Sequence, residues 1–356
     1  MSWQEARDIK EILSAEPDII KLLSQICNPP LGFLREALIN LIYGYLYLVY
    51  DKVDLYDEDS LHTVCSNFSN SLFSNSEVVS YLAPIYSFKF EDYDEPIRLS
   101  KECVIRNLTD LEWIKILENE LINRSPLFHI PYLFAVVERP EPLIKTGMVD
   151  LDGVTELFNK CTAAIRLSVG GYSYTYDIFR KYSPGAFHYS RTAKTQPNFG
   201  VGMMPYSSLS TANLEHVLDN FNNLDLIEKK YPTAYSRFLS LSYRARIEDR
   251  IIDASIGLEN ILLSDSKDEL RFKFALRGAW LTGEAFEGRM ANFTLFKHLY
   301  DNRCDIAHGG KLEDTVSDHE PEIQLLADVI KVMLNIRWDG KWSDYLNNLV
   351  LGKKMF

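Results

Sequence analysis

The chain has 356 residues, and at about 100–200 residues per domain this length predicts two domains. Hydrophobic residues make up 46% and charged residues 25% of the sequence, the usual balance of a globular protein that buries a sizeable core. The formal net charge of −12 argues against a protein that coats nucleic acid, because such proteins carry a strong basic excess. An enzyme that contacts RNA at one local site is compatible with this charge.

Cysteine usage and hydropathy argue against a metal site, a disulfide framework and a membrane span. The five cysteines are odd in number and no two form a C-x-x-C pair, so we expect no disulfide framework, no metal and a reducing, cytoplasmic location. The glycine-containing loops match no P-loop or G-x-G-x-x-G pattern, so we expect no cofactor. No secretory signal is visible at the N-terminus. The longest uncharged apolar run, residues 37–50, is shorter than the about 20 residues that cross a bilayer and predicts a buried core helix. An interfacial membrane helix is the alternative, although the run has no basic face.

In the N-terminal half, helix signals alternate with strand signals. Capping boxes and helical periodicity predict a helix opened by Ser2 and Glu5, one over 31–50, one over 110–121 opened by Thr109 and Glu112, and one over 153–169. Alternating apolar, β-branched and aromatic residues predict strands over 84–92, 95–108, 127–139, 172–182 and 187–193, followed by a loop over 195–210. We therefore predict an α+β domain over residues 1–205, which senses a trigger or sets specificity.

After residue 210 the sequence is helical in character throughout. The predicted helices cover 212–229 with Thr211 as cap, a segment after Pro232, 246–263, 267–282 with a capping box of Ser266 and Glu269, 287–308, and 318–337. Gly278 lies on the inward face of its helix, where it allows a close helix–helix approach. Gly309 and Gly310 are a strong signal for the end of the helix before them. These elements predict an all-α bundle over residues 206–356.

The end of the long helix over 287–308 carries an arginine and a histidine separated by four residues, Arg303 and His308, in "LYDNRCDIAHGG". This spacing alone is a weak signal, because Arg124 and His129 repeat it in a stretch that Pro126 prevents from being helical. Context distinguishes the two pairs. Arg303 and His308 close an amphipathic helix inside a predicted helical bundle.

The stretch around this pair, residues 252–310, resembles the Apea-like branch of the HEPN superfamily. The resemblance is carried by four segments in order: Gly257-Leu258-Glu259, Ser264 to Leu270, Ala275-Leu276-Arg277-Gly278-Ala279, and Leu299 to Gly310. Weaker similarity extends to residues 95–112. The resemblance implies a HEPN-like bundle that acts as a metal-independent ribonuclease, with an Arg and a His from each chain meeting at the interface of a homodimer. The sequence departs from many active members at Cys304, where those members carry Asn, Asp or His.

The chemistry of RNA cleavage suits this pair. Attack by the RNA's own 2′-OH needs a group that moves protons near neutral pH, for which we predict His308, and a cation for the crowded phosphate, for which we predict Arg303. Residues five apart on a helix are separated by about 140° and about 7.5 Å, so one pair converges poorly, whereas two pairs across a two-fold axis could enclose a phosphate. Predicted supporting residues are Asp305, Glu259, Tyr300 and Asn302.

Purely structural roles for the same two residues stay open. Arg303 continues the row of Phe296 and Tyr300, where its stem could be buried beside a carboxylate such as Glu259. His308 could be a helix-end histidine at the negative end of the helix dipole.

Basic side chains near the motif are candidates for contact with the RNA backbone. Residues 244–311 hold eleven basic and eleven acidic residues, so this region is neutral within an acidic chain. We predict RNA contacts at Arg246, Arg250, Arg277 and Lys311; the alternative is a solvated helix face.

The combined prediction is an α+β domain followed by a HEPN-like helical bundle that forms a regulated RNA endonuclease. The resemblance implies a role as a toxin or an anti-phage defence effector. Its expected partners are RNA and a second copy of the chain, with no membrane and with an unknown trigger. The alternative is a catalytically inactive HEPN-fold module for RNA binding or dimerisation.

Overall fold

The computed structural model describes residues 58–60, 62, 63, 66, 77–90, 95–109, 112, 133–141, 151–175, 178–181, 190, 191, 207–310, 312, 319–336 and 340–353. The predicted helices at the N-terminus and over 31–50, most of the one over 110–121, and Lys311 lie outside these residues.

The structure gives bounds for eight strands and eight α-helices in this part of the chain. The strands are β1 (Glu77–Pro84), β2 (Phe88–Phe90), β3 (Ile97–Arg98), β4 (Cys103–Asn107), β5 (Leu133–Glu141), β6 (Phe179–Lys181), β7 (Ser190–Arg191) and β8 (Ser207–Leu209). The helices are α1 (Leu151–Val169), α2 (Leu214–Lys230), α3 (Pro232–Ser240), α4 (Ile247–Leu262), α5 (Leu270–Thr282), α6 (Phe286–Ala307), α7 (Glu320–Asn335) and α8 (Trp342–Val350). Short 3₁₀ turns over Thr211–Asn213 and Leu241–Tyr243 join them.

Six strands form an antiparallel sheet in the order β3-β4-β5-β1-β6-β7. Along β4, Cys103 and Ile105 are buried while the residues between and after them are not, which is the alternation that the sequence shows. The loop predicted over 195–210 is wrong at its end, because β8 pairs there in parallel with β2. The part of the N-terminal half that the structure describes is therefore α+β.

The capping box of Thr109 and Glu112 is confirmed. The backbone N–H of Thr109 donates to Oε2 of Glu112 at 3.0 Å, and the N–H of Glu112 donates to Oγ1 of Thr109 at 3.4 Å. Arg106 on β4 adds two hydrogen bonds to the same carboxylate, at 2.7 and 2.9 Å. The buried Glu112 is thus fully engaged at the end of the sheet.

Helix α1 joins the sheet to the helical half. It contacts β5 and β8 on one side and α2, α3 and α7 on the other. Cys161 on α1 forms a side-chain hydrogen bond with Cys103 on β4. This hydrogen bond, together with burial, raises the pKa of the Cys161 thiol. The hydrophobic core is continuous from Tyr81 on β1 to Leu326 on α7. Among the described residues, this one core includes side chains from both sides of the predicted boundary near residue 205.

The described chain after residue 210 is helical, as predicted, and α4 lies at its centre. This helix contacts α3, α5, α6 and α7. Helix boundaries agree with the prediction to within about three residues, and α8 was not predicted. The close approach at Gly278 is confirmed, because a Cβ there would lie 2.6 Å from the ring of Phe296. Among the described helices, none is long and apolar enough to cross a membrane.

The predicted capping box of Ser266 and Glu269 is wrong. Glu269 adopts a left-handed conformation with φ 55° directly before α5, and no side-chain cap forms there. The hydroxyl of Ser266 lies instead against Asp265 and Arg277, at 3.2 Å from each. The contact of Ser266 with Arg277, eleven residues later, replaces the capping contact that the local sequence pattern predicted.

Candidate functional site

Helix α6 ends in a tight, glycine-dependent turn. The N–H of Gly309 donates to the carbonyl of Ile306 at 3.0 Å, and that of Gly310 donates to the carbonyl of Asp305 at 2.8 Å. This pair of bonds is a Schellman motif, and it requires the left-handed conformation that Gly309 adopts, with φ 85°. The turn fixes His308 as the C-cap residue directly after the helix, with its side chain exposed.

Four consecutive side chains just before this turn each contact a neighbouring helix. The contacts are Tyr300 with Phe274 on α5, Asp301 with Arg271 on α5, Asn302 with Glu322 on α7, and Arg303 with Glu259 on α4. The next residue inward, Leu299, is fully buried. The end of α6 is therefore held from three sides, and Tyr300, Asn302 and Glu259 all belong to that arrangement.

Arg303 forms an ion pair with Glu259. Nη2 lies 3.6 Å from Oε2, which is outside the 2.7–3.2 Å range of an N–H···O hydrogen bond. The side chains of Arg303 and Glu259 are 33% and 26% exposed. Burial raises the pKa of the Glu259 carboxyl, and the positive charge of Arg303 acts in the opposite direction. The guanidinium is oriented by this carboxylate yet keeps a face that an anion could reach.

Arg303 and His308 leave α6 in different directions. Arg303 points towards α4, whereas His308 and Asp305 are exposed at the helix end. In the described part of the chain no contact joins the two side chains. A single chain therefore has a cation and an imidazole at one helix end, as the spacing predicts. The two side chains do not converge on one phosphate.

Two of the predicted RNA contacts, Arg250 and Arg277, are corrected by their burial. Arg250 is 4% exposed, stacks on the ring of Tyr172 at 4.6 Å and donates from Nε to the carbonyl of Arg244 at 3.0 Å. Arg277 is 5% exposed and donates to Leu262, Asp265, Ser266 and Asn347. Both guanidinium groups are used inside the fold, where a phosphate does not reach them.

Arg246 is available at the surface. Its side chain is 70% exposed, with Glu248 at 3.4 Å as an ion-pair partner. Two further arginines that were not predicted as functional lie nearby in sequence. Arg237 and Arg244 bind the two oxygens of Asp253 at 2.7 and 2.6 Å, and that carboxylate is 1% exposed.

A buried polar chain beside the motif was also missed. Asn302 donates from Nδ2 to Oε2 of Glu322 at 2.9 Å, and Nδ1 of His319 lies 3.4 Å from the same oxygen. His319 and Glu322 are 4% and 5% exposed. Their spacing of three at the start of a predicted helix was visible in the sequence, but their partner on α6 was not.

The described residues contain no group of three or more His, Cys, Asp or Glu side chains that could hold a metal ion. Comparisons with protein-family models, with curated proteins and with solved structures find no match to this chain. The candidate site is thus defined by its own geometry, an exposed imidazole and a half-exposed, carboxylate-oriented guanidinium at one helix end.

Proposed function

We propose that the chain is a metal-independent RNA endonuclease of the HEPN type. The observation that carries this proposal is the end of α6, where Arg303 is half-exposed and His308 is held at the surface by the Schellman turn. Arginine offers a permanently charged fork to phosphate oxygens, and imidazole moves protons near neutral pH. These are the two groups that RNA self-cleavage requires.

In the proposed reaction the ribose 2′-oxygen attacks the adjacent phosphorus. The proton of the 2′-OH passes to an imidazole of His308, and Arg303 stabilises the charge on the equatorial phosphate oxygens. The bond from phosphorus to the 5′-oxygen breaks, and that oxygen leaves with a proton from the second imidazole. The products are a 2′,3′-cyclic phosphate and a 5′-hydroxyl.

The second imidazole comes from a second copy of the chain. Arg303 and His308 point in different directions on one helix, so two helix ends related by a two-fold axis are needed to surround one phosphate. We therefore include a homodimer through the helical bundle in the proposal. The N-terminal half is proposed to respond to a trigger, and the resemblance to HEPN proteins suggests a cytoplasmic toxin or anti-phage effector.

The test is cleavage of a labelled tRNA and mRNA pool in EDTA. Wild type is compared with His308→Ala and with His298→Ala, a matched control because His298 is also exposed on α6, ten residues earlier. We expect fragments with 2′,3′-cyclic phosphate ends from wild type and from His298→Ala, and none from His308→Ala. Equal cleavage by the wild type and His308→Ala would refute the assignment.

A second candidate is a HEPN-fold module that binds RNA or dimerises without catalysis. The ion pair of Arg303 with Glu259 favours it, because this contact gives the arginine a structural use. Growth arrest on expression in cells distinguishes the two. If Arg303→Ala and His308→Ala both arrest growth as the wild type does, the non-catalytic module is the correct function.

A further inference from the structure

A buried hydrogen-bonded chain of three side chains joins the end of α6 to the start of α7. Asn302 and His319 both approach Oε2 of Glu322, at 2.9 and 3.4 Å. Glu322 and His319 are more than nine-tenths buried. Buried polar groups are costly unless paired, so this chain is a fixed feature of the interface between α6 and α7.

The hydrogen-bonding roles in the chain follow from chemistry. A carboxylate only accepts, so the Asn302 amide and Nδ1–H of His319 both donate to it. Nε2 of His319 has no hydrogen-bond partner in the described part of the chain. Glu322 also sits in the first turn of α7, where the helix dipole favours a negative charge. The Glu322 carboxylate is thus stabilised by His319 and by the helix dipole, and it accepts a hydrogen bond from Asn302.

Asn302 directly precedes Arg303, and the two side chains hold α6 against different helices. Asn302 binds α7, while Arg303 meets α4 through Glu259. Neighbouring residues on a helix are about 100° apart, so a rotation of the helix end that frees Asn302 also swings the guanidinium away from Glu259. A displacement of about 1 Å at a reacting centre can cost on the order of a hundred-fold in rate.

We infer that Glu322, supported by His319, is a positioning residue that sets the direction of the Arg303 guanidinium through Asn302. The inference rests on the proposed nuclease function for its kinetic consequence. The dependence of the Arg303 guanidinium orientation on Glu322 can be measured without an activity assay.

The test is a reciprocal exchange of the two partners. Asn302→Asp alone places two carboxylates against each other, whereas Asn302→Asp with Glu322→Gln restores the bond with donor and acceptor reversed. Since Asn302 and His319 contact the same oxygen of Glu322, the amide nitrogen introduced at position 322 takes that place in the double variant. Its two hydrogens are donated to the carboxylate introduced at position 302 and to Nδ1 of His319, which then carries its proton on Nε2. Glu322→Gln alone also keeps an acceptor for Asn302. The control is Asn292→Asp, because Asn292 donates to Thr282 at 2.9 Å, a similar cross-helix bond on α6 that is remote from the motif.

For RNA cleavage we expect Asn302→Asp to lower kcat about tenfold or more with little change in KM, since the substrate-binding surface is untouched. The double variant is expected to recover to within about threefold of wild type, and Glu322→Gln and Asn292→Asp to stay near wild type. A double variant that is folded by its melting curve yet no more active than Asn302→Asp overturns the inference.

An independent readout keeps the inference separate from the nuclease proposal. The Nε–H resonance of Arg303 in ¹⁵N-labelled protein, assigned by its absence in Arg303→Lys, reports the order of the guanidinium directly. We expect it to shift and broaden in Asn302→Asp and to return in the double variant. If the wild type cleaves no RNA, the proposed function fails, and this signal alone decides the positioning. A resonance unchanged in Asn302→Asp rejects it.

Discussion

Two hydrogen bonds join Arg277 to Asp265, from Nη1 to Oδ1 at 2.7 Å and from Nη2 to Oδ2 at 3.1 Å. The same guanidinium donates to the carbonyl of Leu262 at 2.6 Å and to Asn347 on α8 at 2.7 Å. Arg277 holds the pKa of the Asp265 carboxyl below its usual range. One buried side chain thus connects the end of α4, the loop after it, α5 and α8. It also links two of the four sequence segments on which the expectation of a HEPN-like bundle rests.

Replacing Arg277 by Ala is expected to destabilise the fold by about 3 kcal/mol, because it leaves several buried or half-buried acceptors without their donor. Urea unfolding of wild type and Arg277→Ala measures the change. Arg271→Ala is the control, since Arg271 lies at the surface of the same helix. A loss no greater in Arg277→Ala than in Arg271→Ala would contradict the role of Arg277.

Replacement by alanine is expected to have opposite effects on stability at two glycines, one in the turn after α6 and one near the start of α6. Gly309→Ala forces a Cβ into a left-handed conformation and should cost about 1 kcal/mol. Gly288 lies within α6, and a Cβ added there would have nothing within 4 Å, so Gly288→Ala should stabilise the protein by about 0.5–1 kcal/mol. Thermal unfolding compares the two variants. A gain in melting temperature for Gly309→Ala would be inconsistent with the described turn.

The raised pKa of Glu259 predicts a pH dependence of stability. Because the folded state binds this proton more tightly than the unfolded state, the contribution is full below the ordinary pKa of 4.5 and is lost as the pH rises through the raised pKa. The unfolding free energy of wild type minus that of Glu259→Gln should therefore fall as the pH rises above 4.5. Urea titrations across this range measure it. A difference that grows with pH would contradict the described environment of Glu259.

Among the described residues predicted to contact RNA, Arg246 is the one at the surface. If the chain binds RNA, Arg246→Ala should weaken binding about equally for different sequences and reduce the salt slope of log K by about 0.7–0.9. Lys229→Ala is the control, because Lys229 is exposed near the end of α2. Filter binding at several salt concentrations provides the slopes. Identical slopes for wild type and Arg246→Ala would exclude a phosphate contact there.

Periodicity and turn chemistry predicted the helices after residue 210 except α8, and the stop at Gly309. The contact of Arg303 with Glu259 corresponds to the structural alternative that the sequence left open. The same periodicity placed Arg250 among Ile247, Ile251 and Ala254, on the buried stripe of α4. Residue type nevertheless led to its prediction as a surface cation. Arginine can be buried when a carbonyl accepts from its guanidinium and a ring covers it. For Arg250 the covering ring is that of Tyr172, which is distant in sequence.

The chain of Asn302, Glu322 and His319 could not be predicted for a related reason. Its members come from two helices, and no local pattern records which polar side chains will meet across an interface. The failed capping box at Ser266 has the same origin, because Arg277, eleven residues later, took the hydroxyl.

The pairing of β2 with β8 has a consequence for synthesis. Phe88 lies beside Ser207, so the second strand of this pair leaves the ribosome long after the first. The long segment between β2 and β8 must close before the two strands can pair, and contacts between segments this distant in sequence delay folding. Leu209, which ends β8, also belongs to the shared core. A nascent chain arrested before this strand would therefore lack Leu209 and keep an incomplete core.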